Sequence, residues 1–518
     1  MLRNLIFCFI SAGSLILAFP PTDFWGLSWI GLIPLMIAID GKPPRSAFNF
    51  GYVTGIIFFL GTLYWFINMS ASAGIHSYLA FLALFAIVLY LSCYFGLFAA
   101  GYAYFASSSL IKRIFLLPSL WVLLEFTRDW LFSGFGWLCL AHSQYKVYPL
   151  IQIADMTGIF GISFLIVMVN ILIKEMIYVC LKRQAPATIF ASCGIVALIF
   201  SLVFVYGLWR LSQPRGHKDA PILISIVQPN IPQTRKWLPS EWPMILEELK
   251  GLTYQAAQND PDLIIWPETS FPGFLGADQD VLKQIKEMAR ELKTPILFGA
   301  IRQDRQKDVR FYNSAVLLSP QGEVVSRYDK MHLVPFGEYI PLRRQLPFLG
   351  KLIPILDFSA GKRVVLFPGR VYGPRAVSEH YAVLICFEDT IARVTRRAVR
   401  AGARLLVNIT NDAWFLDTKE PFLHLQAAVF RAVENRCHLV RVANTGISCF
   451  IDPQGKIKEY LQDGGGKRTF VTGTVQGTSY FSSRKTFYTK FGDVFAGLCF
   501  LCFFAGFIKT KNRSINID

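Results

Sequence analysis

The chain has 518 residues, of which 53% are hydrophobic and only 17% are charged. Soluble domains carry about 25% charged residues, so this composition indicates several membrane spans joined to a soluble portion. The formal net charge of +17 is not accompanied by a basic stripe interleaved with aromatic residues, so we expect no nucleic-acid partner. Basic residues at a membrane surface explain the excess of positive charge.

The ten cysteines predict neither a disulfide framework nor a zinc site. Seven of them lie in or beside apolar runs, and no C-x-x-C pair occurs among the other three, Cys386, Cys437 and Cys449. The sequence also contains no Gly-rich phosphate loop. We therefore expect no metal and no cofactor.

Eight apolar runs are long enough to predict membrane helices. They are Asn4–Pro20, Phe24–Ile39, Phe48–Met69, Leu79–Ser107, Ile114–Phe132, Met156–Cys180, Ala187–Trp209 and Val494–Ile508. The first run also fits a signal peptide, but the second follows at once without a small-residue cleavage site, which favours a retained helix. Residues 1–211 are thus predicted to form a seven-span bundle, and 494–508 an eighth span.

The basic residues in the short loops predict the orientation. With a cytoplasmic N-terminus, the inner segments carry ten lysines and arginines, and the outer loops carry only Arg128 and Lys146. This bias follows the positive-inside rule. Both termini are then cytoplasmic, and the chain between Leu211 and Val494 lies on the outer face.

The charges within the spans argue against a transporter. Ion and proton pathways are marked by charged groups in the middle of membrane helices. Here the charges lie at span ends, except for Lys174 and Glu175 toward the cytoplasmic half of the sixth span.

From about Ala220 to Tyr480, short apolar runs alternate with amphipathic patterns. The predicted strands are Ile222–Val227, Leu263–Trp266, Pro295–Ala300, Ala315–Leu318, Ala382–Ile385, Leu405–Ile409 and Leu439–Ala443. The predicted helices are Pro239–Gln258, Asp278–Lys293, Ile391–Ala401 and Pro421–Arg436. This mixture over residues 220–480 predicts one α/β domain with covered sheets.

Cys386 ends the predicted strand in the stretch YAVLICFEDT, and a predicted helix begins at Ile391. A thiol delivered to the carboxyl end of a strand, just before a helix, is a common arrangement for a nucleophile. Free cysteine is also among the most frequently buried residues. This stretch alone leaves both interpretations open.

Three other stretches carry polar groups that complement a thiol. Glu268 ends the strand in LIIWPETS, Lys330 and Glu338 lie in YDKMHLVPFGEY, and Trp414 lies in NITNDAWF. Each alone is also compatible with an ordinary solvated residue. In combination, a carboxylate with a raised pKa can take the thiol proton, and an ammonium can stabilise a thiolate and an oxyanion.

The order of the WPE, YDKxHLVPFGE and ICFE motifs resembles the nitrilase (carbon–nitrogen hydrolase) superfamily. With the multi-span N-terminal half, the QPNIPQ segment before Trp237 and the NDAWF segment, nearly the whole chain resembles the apolipoprotein N-acyltransferase family of the Gram-negative inner membrane. The resemblance implies a multi-pass α-helical membrane bundle of about eight spans that carries an α-β-β-α sandwich domain.

The resemblance also implies roles for individual residues. Cys386 would be the nucleophile, Glu268 the general base and Lys330 the stabiliser of the oxyanion. The implied supporting or substrate-binding residues are Glu338, Trp237, Phe387, Glu388 and Trp414. Two residues depart from the family pattern: Phe387 replaces a common tyrosine, which removes a hydroxyl near the site, and Gly136 replaces a frequent proline.

The implied reaction is acyl transfer from a membrane phospholipid, through a cysteine thioester, to the N-terminal amine of a diacylated apolipoprotein. The substrates would meet at the lipid bilayer, with the catalytic domain in the periplasm. The alternative from the same chemistry is a membrane-anchored amidase that hydrolyses its thioester with water. An inactive lipid-binding scaffold is disfavoured by the intact triad.

Overall fold

The computed structural model describes residues 1–73, 76–182, 187–213, 221–304, 309–341, 343, 345, 348, 350, 355–370, 377–482 and 485–515. The chain divides into two compact units. The first contains Met1–Ile67, Tyr78–Gln213 and Phe491–Asp518, and the second contains Asn68–Ser77 and Pro214–Lys490.

The first unit is helical. Its helices are α1 (Leu2–Leu17), α2 (Ile33–Ala38), α3 (Pro44–Leu63), α5 (Ser77–Tyr104), α6 (Leu110–Arg128), α7 (Tyr148–Ile151), α8 (Ala154–Thr157), α9 (Phe160–Lys182), α10 (Ala187–Ser212) and α17 (Val494–Ile515). In the described part of the chain, four helical stretches are long and apolar enough to cross a membrane: Pro44–Ser72, Ser77–Tyr104, Phe160–Leu181 and Thr188–Ser212. Shorter apolar stretches are Leu2–Leu17, Trp25–Ala38 and Val494–Ile508. The total of eight spans therefore stays a prediction.

Two apolar runs differ locally from their predictions. The run Phe24–Ile39 is not one helix but a 3-10 turn, Trp25–Trp29, followed by the short α2, which has Pro34 in its first turn. Proline favours the start of a helix because it lacks the N–H that a helix interior needs. The run that begins at Met156 is interrupted at Gly158, whose φ of 63° ends α8 before α9 begins.

The charged pair in the sixth predicted span is neutralised within the helical unit. Lys174 Nζ lies 2.9 Å from a carboxylate oxygen of Asp40 and 3.2 Å from one of Glu175. Glu175 also pairs with Arg113 at 3.0 Å. These four side chains form a continuous chain of ion pairs, which accounts for charges in an otherwise apolar segment.

The second unit contains two mixed β-sheets. The strands are β1 (Pro221–Gln228), β2 (Leu263–Ile265), β3 (Phe274–Leu275), β4 (Ile296–Asp304), β5 (Arg310–Leu318), β6 (Val324–Asp329), β7 (Phe367–Arg370), β8 (Val377–Ile385), β9 (Ala403–Thr410), β10 (His438–Ala443), β11 (Cys449–Ile451), β12 (Ile457–Tyr460) and β13 (Gly473–Tyr480). The first sheet has the order β13-β1-β2-β4-β5-β6, with β3 beside β4, and the second has the order β12-β11-β10-β9-β8-β7. All seven predicted strands are present.

The helices of this unit are short or amphipathic. They are α4 (Met69–Ala73), α11 (Gln233–Lys236), α12 (Trp242–Ala257), α13 (Gln279–Leu292), α14 (Ala392–Ala401), α15 (Glu420–Asn435) and α16 (Phe487–Phe491). The four predicted helices correspond to α12, α13, α14 and α15. The first of them begins later than predicted, because Pro239–Glu241 forms a separate 3-10 turn.

Two apolar cores define the layers of the sandwich. Alternate residues of β1, such as Ile224 and Ile226, pack with Val383 and Ile385 of β8 between the two sheets. Residues on the other face of the first sheet, such as Trp266, pack under α12 and α13. On the second sheet, α14 packs against β8 and β9, and α15 packs against β10. The α-β-β-α sandwich is confirmed.

The parallel strands bring several loop residues to the same sheet edges. Strands β1, β2 and β4 are mutually parallel in the first sheet, and β8, β9 and β10 are parallel in the second. The carboxyl ends of parallel strands meet at one edge of a sheet, where sites commonly form. Glu268 follows β2, and Cys386 follows β8 directly.

Gly299 on β4 permits the close approach of the segment that carries Glu268. A Cβ at this position would lie 2.6 Å from the Cα of Glu268 and 2.6 Å from the carbonyl oxygen of Pro267. We predict that Gly299→Ala lowers the stability by about 1–3 kcal/mol, because the clash involves backbone. Thermal unfolding of the purified protein measures the change.

Gly251→Ala is the matched control for this substitution. Gly251 lies on α12, and a Cβ there meets nothing within 4 Å. Alanine in place of an exposed helix glycine stabilises by about 1 kcal/mol. Equal unfolding midpoints for Gly299→Ala and Gly251→Ala would contradict the predicted clash.

Candidate active site

Cys386 begins a tight turn directly after β8. The turn is a 3-10 segment, Cys386–Thr390, and α14 begins two residues later. Cys386 has a φ of 51°, a left-handed conformation that is strained for a side chain of this kind and is often found at functional sites. The side-chain amide of Asn408 donates to the Cys386 carbonyl oxygen at 3.1 Å and holds the turn.

Glu268 is buried beside a second carboxylate. Asn313 Nδ2 donates to Glu268 Oε1 at 2.7 Å and to Glu338 Oε1 at 2.8 Å, so one amide bridges both glutamates. Asn313 lies on β5, which forms a hairpin with β6, and Lys330 directly follows β6. The sequence analysis did not identify Asn313, although a polar residue in the apolar strand FYNSAVLL is a signal that would have found it.

Lys330 lies closer to Glu338 than to Glu268. Its Nζ is 2.9 Å and 3.0 Å from the two carboxylate oxygens of Glu338, and 3.8 Å from Glu268 Oε1. The backbone N–H of Val334 donates to Glu338 Oε2 at 2.9 Å and fixes that carboxylate. Both glutamates are more than nine-tenths buried, so Glu338 is not a solvated loop residue.

The pKa shifts of Glu268, Lys330 and Cys386 fit a proton acceptor, a cation and a protonated thiol, respectively. Burial raises the pKa of Glu268, and the Lys330 charge opposes this rise. Burial alone would lower the pKa of Lys330, but the charges of Glu338 and Glu268 outweigh it and raise that pKa. Burial and the Glu268 charge raise the pKa of Cys386, so the group rests as a thiol and needs a base to become a nucleophile.

Glu388 ties the Lys330 loop to the Cys386 turn. Its Oε1 accepts hydrogen bonds from the Tyr328 hydroxyl at 2.8 Å, the Met331 N–H at 2.8 Å and the His332 N–H at 3.0 Å. Its Oε2 accepts from the Ile385 N–H at 2.9 Å. Because the side chain is fully buried, Glu388 positions the loop and the turn rather than contacting a substrate.

The three predicted aromatic residues lie on elements that adjoin this network. The Phe387 ring is stacked near that of His332, with centroids 6.1 Å apart. Trp414 is half-buried in the 3-10 turn Asp412–Phe415. Trp237 directly follows α11 and is 41% exposed.

A second buried hydrogen-bond network supports the Cys386 turn. Arg441 Nη1 donates to Asn408 Oδ1 at 2.8 Å and lies 3.1 Å from Asp389 Oδ2, and Nη2 lies 3.2 Å from Asp412 Oδ2. Because Asn408 in turn donates to the Cys386 carbonyl oxygen, Arg441 is linked to Cys386 through one intermediate residue. The sequence analysis did not identify Arg441, since a single arginine in a strand carries no signal of a site.

Asp412, Glu420 and His424 are the one group among the described residues whose side-chain atoms lie close enough together to hold a metal ion. Burial and Arg441 would lower the pKa of His424, but Asp389 and Asp412 outweigh them and raise it to about 9. The raised pKa favours the imidazolium form of His424. Together with Arg441, it already supplies the positive charge that these carboxylates need.

Comparisons with known proteins cover both units. The family model for the apolipoprotein N-acyltransferase N-terminal domain matches residues 11–172, and the model for carbon–nitrogen hydrolase matches residues 223–476. The apolipoprotein N-acyltransferase of Geobacter metallireducens is 38% identical over 508 residues, which cover 96% of this chain and 93% of the relative. That of Methylococcus capsulatus is 33% identical, with 85% and 84% covered.

The chain belongs to the apolipoprotein N-acyltransferase family. It is also similar in structure to an amidase from Nesterenkonia sp., with a TM-score of 0.37 and 17% identity, over 52% of this chain and 92% of the amidase. In this chain, the α/β unit described above is the part that the carbon–nitrogen hydrolase model matches.

We predict that Glu388→Gln slows acylation of Cys386 by about 10²-fold, because a carboxamide places N–H groups against donors and releases the Lys330 loop. Tyr328→Phe removes one of the four donors and should cause a smaller loss. The rate is measured in a single turnover with phospholipid, the acyl donor that the resemblance implies, by mass spectrometry of the intact protein.

Glu323→Gln is the matched control, since Glu323 is exposed at the β5–β6 turn. It should acylate at the wild-type rate. If Glu388→Gln behaves like Glu323→Gln, the hydrogen bonds to Glu388 do not position the site.

Proposed function

We propose that this protein transfers an acyl chain from a membrane phospholipid to the N-terminal amine of diacylglyceryl-cysteine apolipoproteins, through a thioester on Cys386. The observation that carries the proposal is the placement of the buried Glu268 and Lys330 and the half-buried Cys386 in one α/β unit, in a chain that belongs to this family along nearly its full length. A membrane-anchored amidase is disfavoured, because the similarity extends through the N-terminal membrane domain.

In the first half-reaction, the Glu268 carboxylate takes the proton of the Cys386 thiol as sulfur attacks the sn-1 ester carbonyl of the phospholipid. The new C–S bond creates an oxyanion, which the Lys330 ammonium stabilises. The ester C–O bond then breaks, and Glu268 returns its proton to the departing glycerol oxygen. The products are a thioester and a lysophospholipid.

In the second half-reaction, the acceptor amine attacks the thioester carbonyl. The C–N bond forms, the C–S bond breaks, and Lys330 again stabilises the oxyanion. A proton from the amine passes through Glu268 to the departing sulfur and restores the thiol. The ping-pong sequence requires that the thioester survive until the acceptor arrives.

The remaining site residues have supporting roles in this proposal. Glu338 orients the Lys330 ammonium through the contacts at 2.9 and 3.0 Å. Trp237, Phe387 and Trp414 would contact the lipid portions of the two substrates. The 41% exposure of Trp237 supports this role, since aromatic side chains favour the boundary between lipid and water.

The proposed location is the Gram-negative inner membrane, with residues 220–480 in the periplasm and both termini in the cytoplasm. The ten basic residues of the inner segments against two in the outer loops support this orientation. The proposal includes seven spans within 1–211 and an eighth at 494–508. Both substrates are anchored in lipid, so a site at the outer leaflet would let them meet by diffusion within the plane of the membrane.

We predict that Glu268→Gln abolishes thioester formation, since an amide cannot take the thiol proton. In the wild type, the acylation rate should fall as the pH drops through the pKa of Glu268. Burial raises that pKa, so the decline begins above the ordinary glutamate value of 4.5. A single-turnover assay with phospholipid alone measures both effects.

Glu287→Gln, on the exposed face of α13, is the control for this substitution. It should retain both the rate and the pH profile. Acyl-enzyme formation by Glu268→Gln at the wild-type rate would show that another group, with Glu338 the next candidate, is the base.

We further predict that a cysteine introduced as Glu247→Cys is labelled by a membrane-impermeant maleimide in intact spheroplasts. Glu247 is 69% exposed on α12 and lies in the proposed periplasmic domain. Lys42→Cys, in a proposed cytoplasmic loop, should react only after the membrane is broken. The reverse pattern, read by mass spectrometry, would mean that one span has been miscounted.

A further inference from the structure

Lys236 is a buried lysine next to the proposed base. It ends the short helix α11, and its side chain is more than nine-tenths buried. Its Nζ donates to the main-chain carbonyl oxygen of Glu268 at 3.2 Å. The indole N–H of Trp242 donates to the Lys236 carbonyl at 3.2 Å, so the backbone here is also held.

The environment of Lys236 differs from that of Lys330. Lys330 contacts two carboxylates, whereas Lys236 makes no ion pair in the part of the chain that the structure describes. A buried ammonium without a counter-ion is costly, so the neutral amine is favoured. Burial lowers the pKa of Lys236 to about 7, with the charge of Glu268 acting in the opposite direction.

Among the groups around α11, Glu268 is the titratable neighbour of the Lys236 amine. The helix α4, which packs against α11, contributes Met69–Ala73 and no ionisable side chain. On α11 itself, the Arg235 guanidinium is engaged by Glu241 and Glu248. Lysines placed in such different surroundings are expected to differ in protonation and therefore in chemical role.

The second half-reaction of the proposed function requires two proton removals. An N-terminal α-amine has a pKa of about 7.7–8.0, so the acceptor arrives mostly as an ammonium. It must lose one proton before it can attack and a second as the amide forms. Glu268 can carry the second proton to sulfur, which leaves the first without an assigned acceptor.

We propose that Lys236 takes this first proton from the ammonium of the acceptor lipoprotein. The neutral Lys236 amine becomes an ammonium, the acceptor becomes a free amine with a lone pair, and Lys236 returns the proton to water after the product leaves. The net change is conversion of an acceptor ammonium and a thioester into an amide, a thiol and one released proton. The inference rests on the proposed acyltransferase function.

The test compares two nucleophiles on the preformed acyl-enzyme at pH 7. One is a diacylglyceryl-cysteine peptide, which arrives as an ammonium, and the other is hydroxylamine, which is neutral at this pH. With Lys236→Met or Lys236→Arg, transfer to the peptide should fall by about 5- to 10-fold, because only about a tenth to a sixth of an α-amine with a pKa of about 7.7–8.0 is neutral at pH 7. Transfer to hydroxylamine should fall far less, and raising the pH to 9 should restore peptide transfer.

Lys283→Met, an exposed substitution on α13, is the control and should match the wild type in every arm. If the Lys236 variants lose peptide and hydroxylamine transfer by the same factor, or if high pH restores nothing, Lys236 only holds Glu268 in place and the inference is wrong. Failure of the wild type to form the acyl-enzyme, or to pass it to the peptide, would instead overturn the proposed function.

Discussion

The active site depends on one ammonium held away from water between two carboxylates. Lys330 lies 2.9 Å from Glu338 and 3.8 Å from Glu268, and Asn313 bridges the two carboxylates. A buried charge is stable only when paired and hydrogen-bonded. The arrangement therefore depends on both glutamates, and Glu268 is the less tightly paired of the two.

Hydrogen bonds also hold the backbone segments that carry Lys330 and Cys386. Glu388 accepts four hydrogen bonds and joins the loop of Lys330 to the turn of Cys386. Arg441 and Asn408 hold the same turn from the second sheet. A residue such as Cys386 persists in a left-handed conformation only when its surroundings determine it. The two networks together supply that support.

The two lysines near Glu268 illustrate how one residue type serves two purposes. Lys330 faces carboxylates, whose charges raise its pKa, and it therefore keeps its charge. Lys236 donates to a carbonyl oxygen, and burial lowers its pKa to about 7. The difference arises from burial with a counter-ion in one case and without one in the other, and it suits an enzyme that must handle an ester and then an amine.

The sequence by itself predicted seven of the thirteen strands and the four longest helices in the described part of the α/β unit, because apolar periodicity is a local property. It also placed Cys386 at the end of a strand, where the structure has it. Only the tertiary structure decided that Glu338 pairs with Lys330 more closely than Glu268 does, that Asn313 and Arg441 take part, and that Lys236 is buried. Hydrogen bonds and pKa values depend on distances between residues far apart in the chain, such as Glu268 and Asn313, which no local pattern encodes.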